Sequence, residues 1–189
     1  MLEFEKDIKN CIAVMEKGGT FLYPTDTIWG LGCDATDAKA VDKISALKNR
    51  PTNKSYIVLM ADTQMLRRHL ANPIPDLESF LEGQIGATTV IYQDIVGIAE
   101  NALAADGSLG IRIPKDDFCI ALLKRFRKPI ISTSANISEE PNPSFYKEIN
   151  TLIEDRVDYS VEWRRTDEKK VAPSNIIKLK ADGSTIKIR

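Results

Sequence analysis

The chain is predicted to fold as an α/β protein around a mixed sheet flanked by helices, and three observations predict it. Apolar stretches of strand length alternate with stretches of helical periodicity for most of the 189 residues. The C-terminal end is strand-rich, which argues for a mixed and not a purely parallel sheet. Polar clusters rich in Thr, Ser and Arg fall just after strand-like runs, where open α/β sheets build their sites. The length is enough to bury a core and short enough for one domain, taken as 1–189.

Ile8, Ile12 and Met15 repeat at helical spacing, and Gly18-Gly19 stop that helix. Thr20 to Tyr23 reads as a short strand ended by Pro24. After a polar loop, Asp37 caps a helix with the stripe Val41, Ile44 and Leu47, closed by Pro51. The near-continuous apolar run from Tyr56 to Met60 suits a strand covered on both faces. Asp62–Leu70 and Asp76–Leu81 read as short helices, Thr88–Tyr92 and Leu109–Ile113 as strands. Asp116–Phe126 reads as a helix with Ile120, Leu123 and Phe126 inward. Pro129–Ser132 reads as a strand and Phe145–Ile153 as a helix. Asn175–Leu179 and Thr185–Ile188 pair as a hairpin across Asp182-Gly183.

Composition removes several function classes. Lys and Arg number 26 against 27 acids, a net charge of −1, unlike a general nucleic-acid coat or membrane-surface protein. No stretch approaches the roughly 20 apolar residues of a membrane span, and the charged N-terminus does not read as a signal peptide. Cys11, Cys33 and Cys119 show neither a disulfide framework nor metal-ligand spacing, so a cytoplasmic location is expected.

Four segments carry chemistry. Pro24–Leu31 offers Thr25, Asp26, Thr27 and backbone amides just after a strand, although Pro/Thr/Asp turns are common. Lys48, Arg50 and Lys54 crowd a helix end; the dipole alone favours cations there, but three of them also make a triphosphate clamp. Arg112 interrupts an apolar strand and points to the face opposite Ile111 and Ile113, so if half-buried it needs an anionic partner such as a substrate carboxylate. Ser132–Ser138 follows a buried strand with four hydroxyls and an amide, read either as a capping loop or as a wrap for phosphate or a polar substrate. Walker-type and dinucleotide-binding glycine motifs and GxSxG are missing, and His69 is the sole histidine, so a zinc site and a Ser-His-Asp triad have no local support.

Together, PTDTIWGLG at 24–32, KNRP at 48–51, LGIRIP at 109–114, STSANIS at 132–138 and PSNII at 173–177 resemble the YrdC/Sua5 family of threonylcarbamoyl-AMP synthases. The resemblance implies a twisted, open α/β sheet around a concave, cation-lined site. It implies ATP with Mg²⁺, L-threonine and bicarbonate as substrates, with no protein metal site. The product would feed a separate tRNA threonylcarbamoyl-transfer complex, with at most a weak tRNA contact of this chain's own. By position, Arg50, Lys54 and Lys48 would carry catalysis. ATP would meet Arg50, Lys54, Ser108, Ser134, Asn142 and Arg189; threonine would meet Thr27, Arg112, Ser132 and Ser174.

The chain also departs from the family pattern. The Pro-Gly-Pro-x-Thr element reads Ile85-Gly86-Ala87-Thr88-Thr89, the Ser-Gly step after TSAN reads Ser138-Glu139-Glu140, and Leu59 stands where some members carry histidine. Ending at Arg189, the sequence matches the minimal form without the extra Sua5 domain. Two rival readings remain: an RNA-binding module without chemistry, and carbamoyl-adenylate formation as in hydrogenase-maturation proteins.

Overall fold

The computed structural model describes residues 3–50, 55–180 and 183–189. Its helices are α1 (Glu5–Met15), α2 (Ala38–Lys48), α3 (Thr63–Arg68), α4 (Leu77–Glu82), α5 (Asp117–Phe126) and α6 (Thr151–Glu154). Its strands are β1 (Phe21–Tyr23), β2 (Gly30–Gly32), β3 (Ile57–Leu59), β4 (Thr88–Tyr92), β5 (Leu109–Arg112), β6 (Ile130–Ser134), β7 (Tyr159–Ser160), β8 (Asn175–Leu179) and β9 (Thr185–Lys187). Among the described residues these strands form one sheet in the order β7-β1-β2-β6-β3-β5-β4-β8-β9. Pairing is parallel at β1–β7, β3–β5 and β4–β8 and antiparallel elsewhere, so the sheet is mixed as the C-terminal strands predict.

Local chemistry explains the elements. Asp37 caps α2, its carboxylate accepting from the amides of Lys39 and Ala40 at 2.9 and 3.4 Å. Asp62 and Asp116 do the same for α3 and α5. α2 ends at Asn49 in the left-handed conformation; Pro51, expected to close it, lies outside the described residues. α1 buries Ile8, Cys11 and Met15, leaves Ile12 half-buried, and is tied to the far end of the chain by Asp7. That carboxylate accepts from the Tyr159 hydroxyl and from the amides of Glu162 and Trp163.

Three expectations need correction. The loop after β1 contains a strand, β2, whose two glycines let the rings of Phe21 and Tyr23 lie against it. A Cβ on Gly32 would sit 2.8 Å from the Tyr23 ring. Phe145–Ile153 is not one helix but a 3₁₀ turn at Tyr146–Glu148 followed by α6. The break falls at Ile149-Asn150, where the Asn150 side chain accepts from the Leu152 amide and starts the second element. In α5 the inward face is Phe118, Cys119, Leu122, Leu123 and Phe126, while Ile120 is only half-buried. The C-terminal hairpin forms as expected, with Gly183 at φ +80° in its turn; Asp182 lies outside the described residues.

Alternation along the central strands sorts the sheet into two faces. Val58, Val90, Ile111 and Ile131 enter the apolar core. Ile57, Thr89, Ile91, Gly110, Arg112 and Ser132 turn the other way and line a cleft. Replacing Asp37 by Ala should lower unfolding stability by about 1 kcal/mol, measured by urea denaturation, with an unchanged slope.

Candidate active site: a cleft across the mixed sheet

The cleft has a volume of about 280 Å³, and its wall is drawn from stretches scattered along the chain from Thr27 to Arg189. Thr27 enters from the loop between β1 and β2, Arg50 from the end of α2, and Arg112 from the end of β5. Ser132 and Ser134 come from β6, Asn142 from the loop beyond it, Ser174 from the start of β8, and Arg189 from the end of the chain. Gly110 forms part of the floor. A Cβ there would stand 3.1 Å from Thr89 Cγ2, so a side chain at this position would fill the cleft.

The Pro24–Leu31 loop is a compact turn held from several sides. Thr25 Oγ1 accepts from the Thr27 amide at 3.0 Å, donates to the Ile28 carbonyl at 2.9 Å and shares a 2.9 Å hydroxyl contact with Thr27. Arg112, 4% exposed, has the anionic partner that its burial demands, but it is the protein's own: Nη1 donates to Asp26 Oδ1 at 2.5 Å. Asp26 Oδ2 also accepts from the Lys115 amide at 3.0 Å. Arg112 Nε has no partner among the described residues. Arg164 fastens the loop from outside, donating to Asp116 Oδ2 and, at 3.4 Å, to the Thr25 carbonyl.

Arg50 lies over the Tyr56 ring at 4.5 Å and donates to the Ser55 carbonyl at 2.5 Å. Tyr56 is itself pinned to α2 by a 2.7 Å contact with the Ser45 hydroxyl. Ser174 shares a 2.8 Å hydroxyl contact with Thr89, the residue that ends the proline-free IGATT segment. Arg189 donates to the Ser174 carbonyl at 3.0 Å.

Two predicted site residues sit elsewhere and one lies outside the described residues. Lys48 does not reach the cleft as a phosphate clamp would. It is 2% exposed, and its Nζ donates to the carbonyls of Ser134 and Asn136, each at 2.5 Å, and to Asn136 Oδ1 at 3.2 Å. Burial and the nearby Arg50 push its pKa down to about 7, while the three oxygen acceptors favour the ammonium. Lys48 is therefore a positioning residue for the Ser-rich loop. Ser108 is buried outside the cleft wall, where it donates to Asp106 Oδ1 at 2.6 Å. Lys54 falls in the 51–54 stretch outside the described residues.

Sequence reasoning gave no role to Thr89, Tyr56 or the Asp26–Arg112 pair. Only the last left a signal, a charge inside an apolar strand. The departure at Glu139 is resolved by geometry: Glu139 adopts φ +74°, the conformation a glycine would take there. The loop still closes, with Asn136 Nδ2 donating to the Glu140 carbonyl at 2.6 Å and the Glu140 amide donating to the Ile137 carbonyl. Leu59, at the position where some relatives have histidine, is buried beside Arg112 in the β3–β5 register.

An open mixed sheet with hydroxyls and arginines gathered in one cleft defines a binder of small polar, anionic ligands. The Sua5/YciO/YrdC family model, described as "Telomere recombination", matches residues 13–189, and the chain belongs to that family. A threonylcarbamoyl-AMP synthase of Halorhodospira halophila is 30% identical over 159 residues, covering 83% of each chain. The structure of P. abyssi Sua5 complexed with L-threonine superposes with a TM-score of 0.83 at 22% identity, over 98% of this chain and 54% of that one. Full-length HypF in its phosphate- and nucleotide-bound form superposes at 0.81 with 24% identity, over 96% of this chain and 28% of that one. The chain thus spans about half of Sua5 and just over a quarter of HypF.

Replacing Glu139 by Gly should raise unfolding stability by about 0.5–1 kcal/mol, because glycine carries no penalty at positive φ. A thermal midpoint unchanged or lowered by that substitution would contradict the strained reading of the loop.

Proposed function

We propose that this chain is a threonylcarbamoyl-AMP synthase, making threonylcarbamoyl-AMP and pyrophosphate from ATP, L-threonine and bicarbonate. The carrying observation is convergence: Thr27, Arg50, Arg112, Ser132, Ser134, Asn142, Ser174 and Arg189, far apart in sequence, all line one cleft. The names of the curated relatives supply the chemistry to which that convergence is assigned.

In this reading Arg112, where it lines the cleft, attracts the threonine carboxylate, and Thr27, Ser132 and Ser174 surround the rest of the amino acid. Arg50, stacked on Tyr56, and Arg189 face the phosphates, with Ser134 and Asn142 beside them, and Lys54 joins Arg50 in that role. Threonine's free amine attacks CO₂ to give a carbamate and a proton, or attacks bicarbonate to give the carbamate and a water, and the proton or water leaves to solvent. A carbamate oxygen then bonds to the α-phosphorus as the bond to the pyrophosphate oxygen breaks. The residues orient the two reactants and keep water from the labile product. Positive charge at Arg50 favours the departing pyrophosphate.

Magnesium enters with the nucleotide. Among the described residues no carboxylate lines the cleft and no cluster of His, Cys, Asp or Glu could hold a metal ion, so the donor set does not fit a resident site. The product would pass to a separate complex that modifies tRNA, in the cytoplasm. No helix among the described residues is long and apolar enough to cross a membrane.

The assay follows pyrophosphate and the adenylate by rapid mass spectrometry, with MgATP and bicarbonate present and L-threonine added or withheld. Threonine-dependent threonylcarbamoyl-AMP is expected. Pyrophosphate release driven by carbamoyl phosphate would instead point to the chemistry of the HypF-like rival, and salt-sensitive RNA binding without turnover would favour a binding module. Changing Arg50 to Ala should lower turnover by about 100-fold, as for loss of one preorganised charge-stabilising donor. Near-normal turnover in that variant would refute its assignment. Magnesium alone should leave the melting temperature unchanged, whereas MgATP should raise it.

A further inference from the structure

Arg112 sits on β5, between β3 and β4, with its side chain 5% exposed. Left alone there, its charge would attract any anion reaching the cleft, including the phosphates of a nucleotide bound in the same space. Asp26 changes that. Its carboxylate, 14% exposed, is held between Arg112 Nη1 at 2.5 Å and the Lys115 amide at 3.0 Å, so its position is fixed from two sides. The guanidinium is thereby neutralised on one side; its Nε is buried without a partner among the described residues, and the residue still lines the cleft.

We infer that Asp26 makes the Arg112 subsite selective for a zwitterionic α-amino acid over plain carboxylates and phosphates. The inference rests on the proposed reading of the cleft as an amino-acid site and adds the basis of its selectivity. A ligand carboxylate drawn to the side of Arg112 that lines the cleft comes close to the Asp26 carboxylate and is repelled by it. An ammonium on the neighbouring carbon offsets that repulsion with an attraction of similar size. A phosphate, with more negative charge and no ammonium, meets repulsion alone. Selectivity then comes from a built-in repulsive element as well as from attraction. Asp26 is not among the residues lining the cleft, so it acts through Arg112 as a positioning residue, not as a direct ligand.

The test compares L-threonine with 3-hydroxybutyrate, which is threonine without its amine, by calorimetric titration of the whole chain. Inorganic phosphate is tested as a competitor of threonine. The wild-type chain should prefer threonine over 3-hydroxybutyrate by at least about tenfold and should lose little threonine binding to phosphate. In Asp26→Asn, which keeps the shape and one of the two acceptor oxygens, that preference should shrink by about tenfold and phosphate should compete measurably. MgATP affinity should change by less than about threefold, which separates lost selectivity from a damaged fold.

A wild-type chain that binds threonine and 3-hydroxybutyrate equally would overturn the inference without any variant, so it stays testable even if Asp26→Asn fails to fold. So would an Asp26→Asn variant whose preference is unchanged. A wild-type chain that binds neither threonine nor MgATP would sink the proposed function itself, a distinct result.

Discussion

A guanidinium placed on a central strand of the mixed sheet needs a counter-ion, and much of the site follows from how this chain meets that need. Asp26 comes from the loop after β1, at the other side of the sheet order from β5, and reaches Arg112 only because that loop folds back towards β5. Its second oxygen takes the Lys115 amide, so one carboxylate joins the β1–β2 loop to the β5–α5 connection. Thr27 is then set at the cleft by its neighbours, through the Thr25 hydroxyl. Removing Arg112 or Asp26 alone would leave the other charge buried and uncompensated, which costs more than the pair contributes.

A second constraint shapes the opposite wall. The chain leaving β6 at Ser134 turns back on itself and leaves the carbonyls of Ser134 and Asn136 facing inward, where they require donors. Lys48 supplies them from the last turn of α2, and its own carbonyl accepts from the Ser138 amide at 2.8 Å. The same short stretch thus does two jobs. Lys48 fixes the end of β6 that carries Ser134, and two residues later Arg50 leaves the helix to stack on Tyr56 at the cleft. Glu139 closes the loop in a conformation better suited to glycine, a local cost borne by the hydrogen bonds around it.

The readable parts of this fold were those whose signals are local. The Asp37 cap, the Val41, Ile44 and Leu47 stripe, and the hairpin turn all act within a few residues, and each predicted its element. β2 and β7 were invisible for the opposite reason. The first is three residues with two glycines, and the second is two residues that become a strand by pairing with β1, well over a hundred positions away. Site residues divide in the same way. Arg112 was legible because a charge inside an apolar strand must be answered, but which group answers it depends on tertiary folding. Lys48 looked like a phosphate ligand beside Arg50 because sequence spacing does not show where buried carbonyls will need donors.

In the proposed reading one cleft holds an amino acid at Arg112 and a nucleotide at Arg50 and Arg189 together. The most direct test is a crystal structure of the chain with L-threonine and a non-hydrolysable MgATP analogue. The threonine carboxylate should lie against Arg112, with Asp26 still paired to Nη1, and the phosphates against Arg50 and Arg189. Threonine bound away from Arg112, or phosphates seated on Arg112 in its place, would contradict it.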